Sequence, residues 1–593
     1  MKITKFYIRK YAALLVGAGM CMATSCSEIS FGNEFLGDAP ESSGSTLGTM
    51  FSSKINAEEV MTRAYQGLPY GLPCTADNRL GGNILEMLTD LGQSYRNNGS
   101  DAPFQQYYGG AVNANTISGN APYLFGGETD WATIKYAWIY IENVDRVPDM
   151  TASEKKSKIA EAKMLIALSY FNLMRYIGGV IWLDHSVAVN ETMEFPRITF
   201  AETVERINAL IDEAIPDLPW RWDDNNDGRM SMAGAMALKF KLLQWAASPT
   251  FNADTPWHPQ ADEYTCYGNY DRQRWTAAAN AGKAFFDEVN RRGGIALIKA
   301  AGNTHDEYRK AYRRAYYNRG GTEILISLRK GYGADICSEY YNSRLYSGPT
   351  LNYVDMFPWK DGTDFPADFD WEHPDRAPFF ENEGGTLVPT RDPRLYENVA
   401  CPGDIYFNGL PAPVYIPNDS YRKGETTGFL TMKFILQTAA DRSVPVQWPH
   451  TRLAEIMLGY AEVLNEVNNG PTAEAYRMVN EVRARVGLSP LPDGMDHDAF
   501  FEAVLRERAL ELGFEEVRWF DLVRNNRRQD FVKPLYGLVT TGDNANHPTK
   551  FTFEKFSLPE RIWAKNWDAK WYLMPIPQSE INKKYGMTQN PGW

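Results

Sequence analysis

The chain has 593 residues, 44% hydrophobic and 13% aromatic, with 61 Lys and Arg against 74 Asp and Glu and a net charge of −13. That length exceeds one simple core and calls for two or more packed subregions. The acidic balance, with no basic run, excludes nucleic acid as a partner, because phosphate binding depends on clustered Lys and Arg; six cysteines at wide, irregular spacings support neither a zinc ribbon nor a disulfide scaffold.

The first element is a leader. Lys2, Lys5, Arg9 and Lys10 precede a short apolar stretch at 11–23, and "ATSC" closes it at 23–26. A membrane-spanning helix needs about 20 apolar residues, so the segment reads as a secretory signal over 1–25. The terminal cysteine makes it resemble a bacterial lipoprotein signal, in which cleavage leaves Cys26 as an acylated N-terminus. Acyl chains then supply the membrane affinity, at about 0.8 kcal/mol per buried CH₂. A plain secretory signal with an incidental cysteine is the competing reading. Residues 26–55, rich in Ser and Gly, are expected to form a flexible tether.

Helical periodicity dominates the rest. Residues 130–147 place Trp131, Ile134, Trp138, Ile141 and Val144 on one stripe, and Pro148 ends it. "TASE" (151–154) is a capping box that opens a helix running through 162–177, apolar on nearly every face; Gly178 and Gly179 stop it. A second capping box, "TFAE" (199–202), opens a helix striped by Val204, Ile207, Ile211 and Ala214. Further helices are predicted over 232–248, 274–289, 451–467, 472–486 and, unbroken, 498–524. Residues 250–273 and 330–450 are instead rich in Gly, Pro, Asp and Tyr, with short strand-like pieces such as 323–329. Loops this long are uncommon unless functional or held by their own packing. The fold expected is mostly α: a tetratricopeptide-like helix-pair scaffold with long irregular loops and few short strands, although no strict 34-residue repeat is visible.

Catalytic motifs are missing. "DDNNDG" (223–228) begins like a calcium loop, but its twelfth position is Gly234 where a bidentate Glu belongs, so a polar turn is the better reading. The seven histidines are scattered, and no H-E-x-x-H, G-x-S-x-G or P-loop occurs. The lone G-x-G in "GYGAD" (331–335) lacks the rest of a nucleotide fingerprint. Nothing singles out two carboxylates for glycoside hydrolysis. In "EEVRWFDLVR" (515–524), Arg518, Asp521 and Arg524 fall at i, i+3 and i+6; a structural salt-bridge stack outweighs an anion site there. "RDPRLYE" (391–397) reads the same way. No enzyme, no cofactor and no metal site are expected.

Several stretches together carry a resemblance. "AKMLIALSYFNLMRYIGGV" (162–180), "GRMSMAGAMALKFKLLQWAASPTFN" (228–252), "PTLNYVDMFPWKDG" (349–362), "RDPRL" (391–395), "TGFLTMKF" (427–434), "RLAEIMLGYAEVLNE" (452–466), "VRARVGL" (482–488), "ERALELGFEEVRWFDLVR" (507–524) and "LMPIPQSEINKKYGMTQNPGW" (573–593) occur in family order. The chain is similar to the SusD/RagB family of nutrient-binding outer-membrane lipoproteins of Bacteroidetes. The resemblance implies a tetratricopeptide-like fold, SusD-like throughout, with a helical region over 56–330 and a C-terminal region with variable loops over 331–593. It also implies an outer-membrane, lipid-anchored protein on the cell exterior. Such a protein captures oligo- or polysaccharide and delivers it to a SusC-like TonB-dependent transporter; a RagB-like peptide receptor is the alternative.

Sugar capture needs aromatic faces for C–H surfaces and planar polar groups for hydroxyls. Residues 93–110 offer Tyr95, Tyr107 and Tyr108 beside Arg96, Asn97 and Asn98, and the segment around "NYVDMF" offers Tyr332, Tyr340, Tyr341, Trp359 and Trp371. Residues 257–270 are a third stretch. The expected ligand contacts are Tyr95, Arg96, Asn97, Tyr107, Tyr108, Tyr332, Trp359 and Trp371.

Overall fold

The computed structural model describes residues 46–68, 80, 84–94, 106–117, 130–188, 190–192, 194–332, 347–418, 427–436, 438, 443 and 445–593. Helices dominate. α1 (Lys54–Gln66), α2 (Asp130–Asn143), α3 (Ala152–Ile177), α4 (Phe200–Ala214), α5 (Met232–Ala247), α6 (Arg272–Arg292) and α7 (His305–Tyr317) make up the first half. α8 (Leu351–Met356), α9 (Leu453–Asn468), α10 (Ala473–Arg485), α11 (His497–Leu512) and α12 (Arg518–Arg524) follow. Neighbours in sequence are neighbours in space: α2 packs on α3, α3 on α4, α5 on α6, and α9 on α10. This is the helix-pair arrangement expected of the sequence.

Local chemistry explains where these helices start. The Thr151 hydroxyl accepts from the Glu154 amide while the Glu154 carboxylate accepts from the Thr151 amide, so α3 carries a full capping box. At α4 only half of the expected box forms. Thr199 accepts from the Glu202 amide at 3.1 Å, but the Glu202 carboxylate turns away to Arg206 at 2.7 Å. The stripe expected on α2 is also rotated. Ile134, Ala137 and Tyr140 are its fully buried apolar residues, with Val144 just beyond its end. Trp131 and Trp138 are half-buried at its side, where the Trp138 indole N–H donates to Leu183 O and Trp131 meets Tyr170 edge-on.

Three boundaries differ from expectation. Residues 47–50 form a helical turn, Phe51 is buried and α1 begins at Lys54, so the end of the predicted tether belongs to the folded body. α7 was not anticipated, although Thr304 and Glu307 form a capping box at its start. The helix predicted over 498–524 breaks between Leu512 and Arg518. Gly513 sits there because a Cβ would stand 2.1 Å from the Tyr353 hydroxyl oxygen, and Phe514 and Glu516 adopt positive φ to turn the chain.

Strands occur as two-stranded antiparallel pairs among the described residues. β1 (Gly92–Ser94) pairs with β3 (Ser347–Pro349), β2 (Ile324–Tyr332) with β8 (Pro445–Arg452), and β4 (Phe380–Glu383) with β5 (Thr386–Pro389). β6 (Val399–Ala400) pairs with β7 (Leu430–Thr431), and β9 (Tyr536–Gly542) with β10 (Phe551–Ser557). Gly384 and Gly385, both at positive φ, supply the two-residue turn that joins β4 to β5.

Two apolar clusters form the interior. The larger gathers α1 to α4, α7 and the C-terminal segments; the smaller gathers α5, α6, α9, α10 and the first half of α11. Both draw residues from either side of position 330. No helix among the described residues is long and apolar enough to cross a membrane.

Candidate ligand-binding site

Four of the expected ligand contacts are interior residues. Tyr107 is 1% exposed; its ring lies 6.0 Å from that of Trp571 and its hydroxyl donates to Met574 Sδ. Tyr108 donates to Met87 O at 2.6 Å, accepts from the Ser94 amide, and lies beneath the Arg561 guanidinium. Trp359 and Trp371 belong to a small aromatic core with Phe365, Phe369, Phe379 and Phe553. The Arg376 guanidinium lies 3.9 Å from the Trp359 ring centre. Large rings lose most by staying in water, and here the long excursions between helices use them to build their own packing. None of the four presents a free ring face to a ligand. Tyr95, Arg96, Asn97, Asn98, Tyr340, Tyr341 and Cys26 lie outside the described residues, as does the Tyr332 side chain, whose backbone closes β2.

The charged motifs are interior as well. Arg394 is fully buried among Asp392, Glu507 and Glu511, and Arg452 binds Glu323, Glu511 and Glu515. Arg485 bridges Glu323 and Glu511. Burial opposes ionisation of Glu511, but the guanidiniums of Arg485, Arg452 and Arg394 outweigh it and hold the carboxyl well below its usual range. In "EEVRWFDLVR" the stack differs from the sequence expectation. Asp521 pairs with Arg524 and Arg508, whereas Arg518 reaches across to Asp90 at 2.8 Å. The segment locks α12 to the 84–94 region and to α9 through Glu462, which is a structural role. The "DDNNDG" loop is a turn: Asp223 accepts from the Asn226 amide, and Asp227 pairs with Arg329. Among the described residues, no group of three His, Cys, Asp or Glu is placed to hold a metal.

An open cleft of about 750 Å³ lies along α7. Its floor is built from two arginines one turn apart. Arg309 and Arg313 both bind Glu397, at 2.8 Å, and Arg309 also pairs with Asp404 at 3.0 Å. Burial works against both cations, yet Asp404 and Glu397 outweigh it for Arg309, and Glu397 for Arg313, so each guanidinium is held above its usual range. Glu397 is correspondingly held below the usual carboxylate range. Lys310, Arg314 and Asp306 are exposed at the rim, and Ile405, also exposed, supplies apolar surface above the buried Leu436 and Tyr317. Charged side chains of both signs beside apolar surface can hydrogen-bond hydroxyls and cover C–H faces. Arg309 and Arg313 belong to no motif in the sequence. The signal the sequence does hold is the capping box at Thr304, which starts the helix that presents Arg309 and Arg313 together.

The architecture is a mostly α, SusD-like one. A solved SusD-like protein from Bacteroides fragilis superposes on 92% of this chain and 98% of its own, with a TM-score of 0.68 at 21% identity. A solved laminarin-binding SusD-like protein covers 92% of this chain and all of its own, with a TM-score of 0.56 at 20% identity. Residues 305–593 match the model of the SusD family. SusD-like protein P38 of Formosa agariphila is 24% identical over 436 residues, 68% of this chain and 73% of that protein. Residues 305–593 belong to the SusD/RagB family, and the chain as a whole has the SusD-like fold.

Proposed function

We propose that this chain is a glycan-binding lipoprotein of the outer cell surface, which holds oligo- or polysaccharide without catalysis and hands it to a SusC-like TonB-dependent transporter. Membership of residues 305–593 in the SusD/RagB family carries the reading, and the laminarin binding of a protein with the same fold supports the choice of glycan as ligand. Tyr95, Arg96, Asn97 and Tyr332 stay as proposed contacts, and the cleft along α7 joins them. Attachment rests on Cys26, whose acyl chains replace a membrane-spanning segment.

Labelled palmitate and membrane fractionation test the anchor. The natural chain takes up label and pellets with membranes, and Cys26→Ala stays in the supernatant unlabelled. A Cys26→Ala protein that still pellets after a carbonate wash contradicts the lipid tether. Co-purification of a TonB-dependent transporter with the natural chain tests the partner; recovery of the chain alone from gently solubilised membranes counts against it.

A further inference from the structure

α1, α2 and α3 meet at one end, and the N-terminal part of the chain enters there. The Lys54 amide donates to Asp149 Oδ1 at 2.7 Å and the Lys54 Nζ pairs with Glu154 at 2.6 Å, so α1 starts beside the start of α3. α2 ends there too, because residues 144–151 lead directly from it into α3. The helical turn at 47–50 joins the same end through Asn56, whose side-chain amide donates to Thr49 O. Among the described residues six large apolar side chains are exposed, and two of them, Leu47 at 44% and Ile55 at 75%, belong to this end. Ile55 is the second residue of α1, and side chains of a first turn tilt toward the helix N-terminus. It therefore leans out of this end. Gly48, Ser52, Ala152 and Ser153, on the same segments, are small and exposed.

What covers this end follows from the chain that precedes it. Thr46, where the described residues begin, lies 20 residues after Cys26. A Ser- and Gly-rich coil of that length spans about 25 Å root-mean-square. The far end of α3, a helix of 26 residues, stands about 39 Å beyond. An acylated Cys26 therefore keeps this end of the helices nearer the bilayer than the other. Charge permits contact. At physiological salt the field of a surface charge reaches about 8 Å, so local charge counts and not the net −13. Within 46–56 and 145–156, Lys54, Arg146, Lys155 and Lys156 offset Asp145, Asp149 and Glu154, and lipid phosphates meet no acidic face. We infer that this end seats on the lipid bilayer, with Leu47 and Ile55 at the headgroup–acyl boundary and Lys156 reaching toward phosphates. Two aliphatic side chains hold a free protein only weakly. A tether makes the contact intramolecular, at an effective concentration on the order of millimolar. The seating rests on the lipid anchor of the proposed function and adds which face turns to the membrane.

The test uses the full acylated chain in vesicles of phosphatidylethanolamine and phosphatidylglycerol, and in native membranes. A photoreactive benzophenone amino acid replaces Ile55 or, as controls, the exposed Tyr270 or Leu410. Illumination should join position 55 to lipid at about ten times the yield of position 270 or 410. Adding Leu47→Asp and Ala152→Asp, both at exposed positions, should lower that adduct about tenfold while palmitate uptake, pelleting and melting temperature hold. Should the double change fail to fold, Ser52→Asp, also exposed, carries the same comparison. Equal yields at the three positions, or an adduct that survives the aspartates, overturn the seating and leave the anchor intact. So do a palmitate-labelled chain that gives no lipid adduct at 55 and adducts at 55 to a membrane protein instead of lipid. A chain that takes up no palmitate overturns the anchor itself, and the seating with it.

Discussion

Glu86 has no exposed surface, and its Oε1 accepts from the Glu516 amide at 2.6 Å while its Oε2 has no hydrogen-bond partner among the described residues. Burial first, and the Glu516 charge second, push its carboxyl up to about 8. A carboxyl raised in the folded state holds its proton after the unfolded chain has lost it. Stability therefore falls as pH rises from 4.5 through about 8. Glu86→Gln keeps the shape and stays neutral, so it should gain on the natural chain by about 3.5 kcal/mol between pH 5 and pH 8. Urea midpoints at the two pH values measure this, and a difference that stays constant refutes it. Tyr107 and Tyr108 give a second test at the same scale. Removing either ring opens a core cavity, so Tyr107→Ala and Tyr108→Ala should each cost about 3–5 kcal/mol, read by thermal melting. Variants that melt like the natural chain would return both rings to the surface. Sequence could not foresee this burial. Tyr107 and Tyr108 stand among Gln105, Gln106, Gly109 and Gly110, and polar neighbours along the chain do not reveal a Trp571 or an Arg561 that reaches the rings from more than 450 residues away.

At the level of elements, the charged stretches act as clamps. Glu511 on α11 binds Arg452 at the end of β8, Arg485 at the end of α10 and Arg394 before β6. Glu511→Ala leaves three buried guanidiniums short of a partner and should cost about 3–5 kcal/mol. Chemical unfolding decides; a loss below about 1 kcal/mol would show that the three arginines re-pair without it. The helices striped at 3.6-residue spacing, α4 above all, were legible because one face is apolar and the other charged. α7 was not. Its sequence, "HDEYRKAYRRAYY", carries its apolar contacts on tyrosines and alanines between charges, so its buried face of Ala311, Tyr312, Ala315 and Tyr316 is masked by charge. The break before α12 was equally hidden. Gly513 looks like any helical glycine until Tyr353, from a distant segment, arrives against it.

Across the whole molecule, the family motifs and the interior coincide. The shared stretches 391–395 and 507–524 supply buried charge pairs that tie helices together, so they were readable in sequence yet silent about ligand. In the proposed reading, recognition falls instead to loops and to the cleft along α7. This division is why fold and family could be read early while four of the eight expected contacts turned out to be packing. The central claim is a receptor that binds glycan and does no chemistry on it. Titration calorimetry of the full chain with neutral oligosaccharides, and with peptides of similar length, tests it most directly when each mixture is afterwards assayed for new reducing ends. Saturable heat with an oligosaccharide, none with peptide and no new reducing ends is the predicted result. Binding confined to peptides, or steady release of reducing sugar, would contradict it.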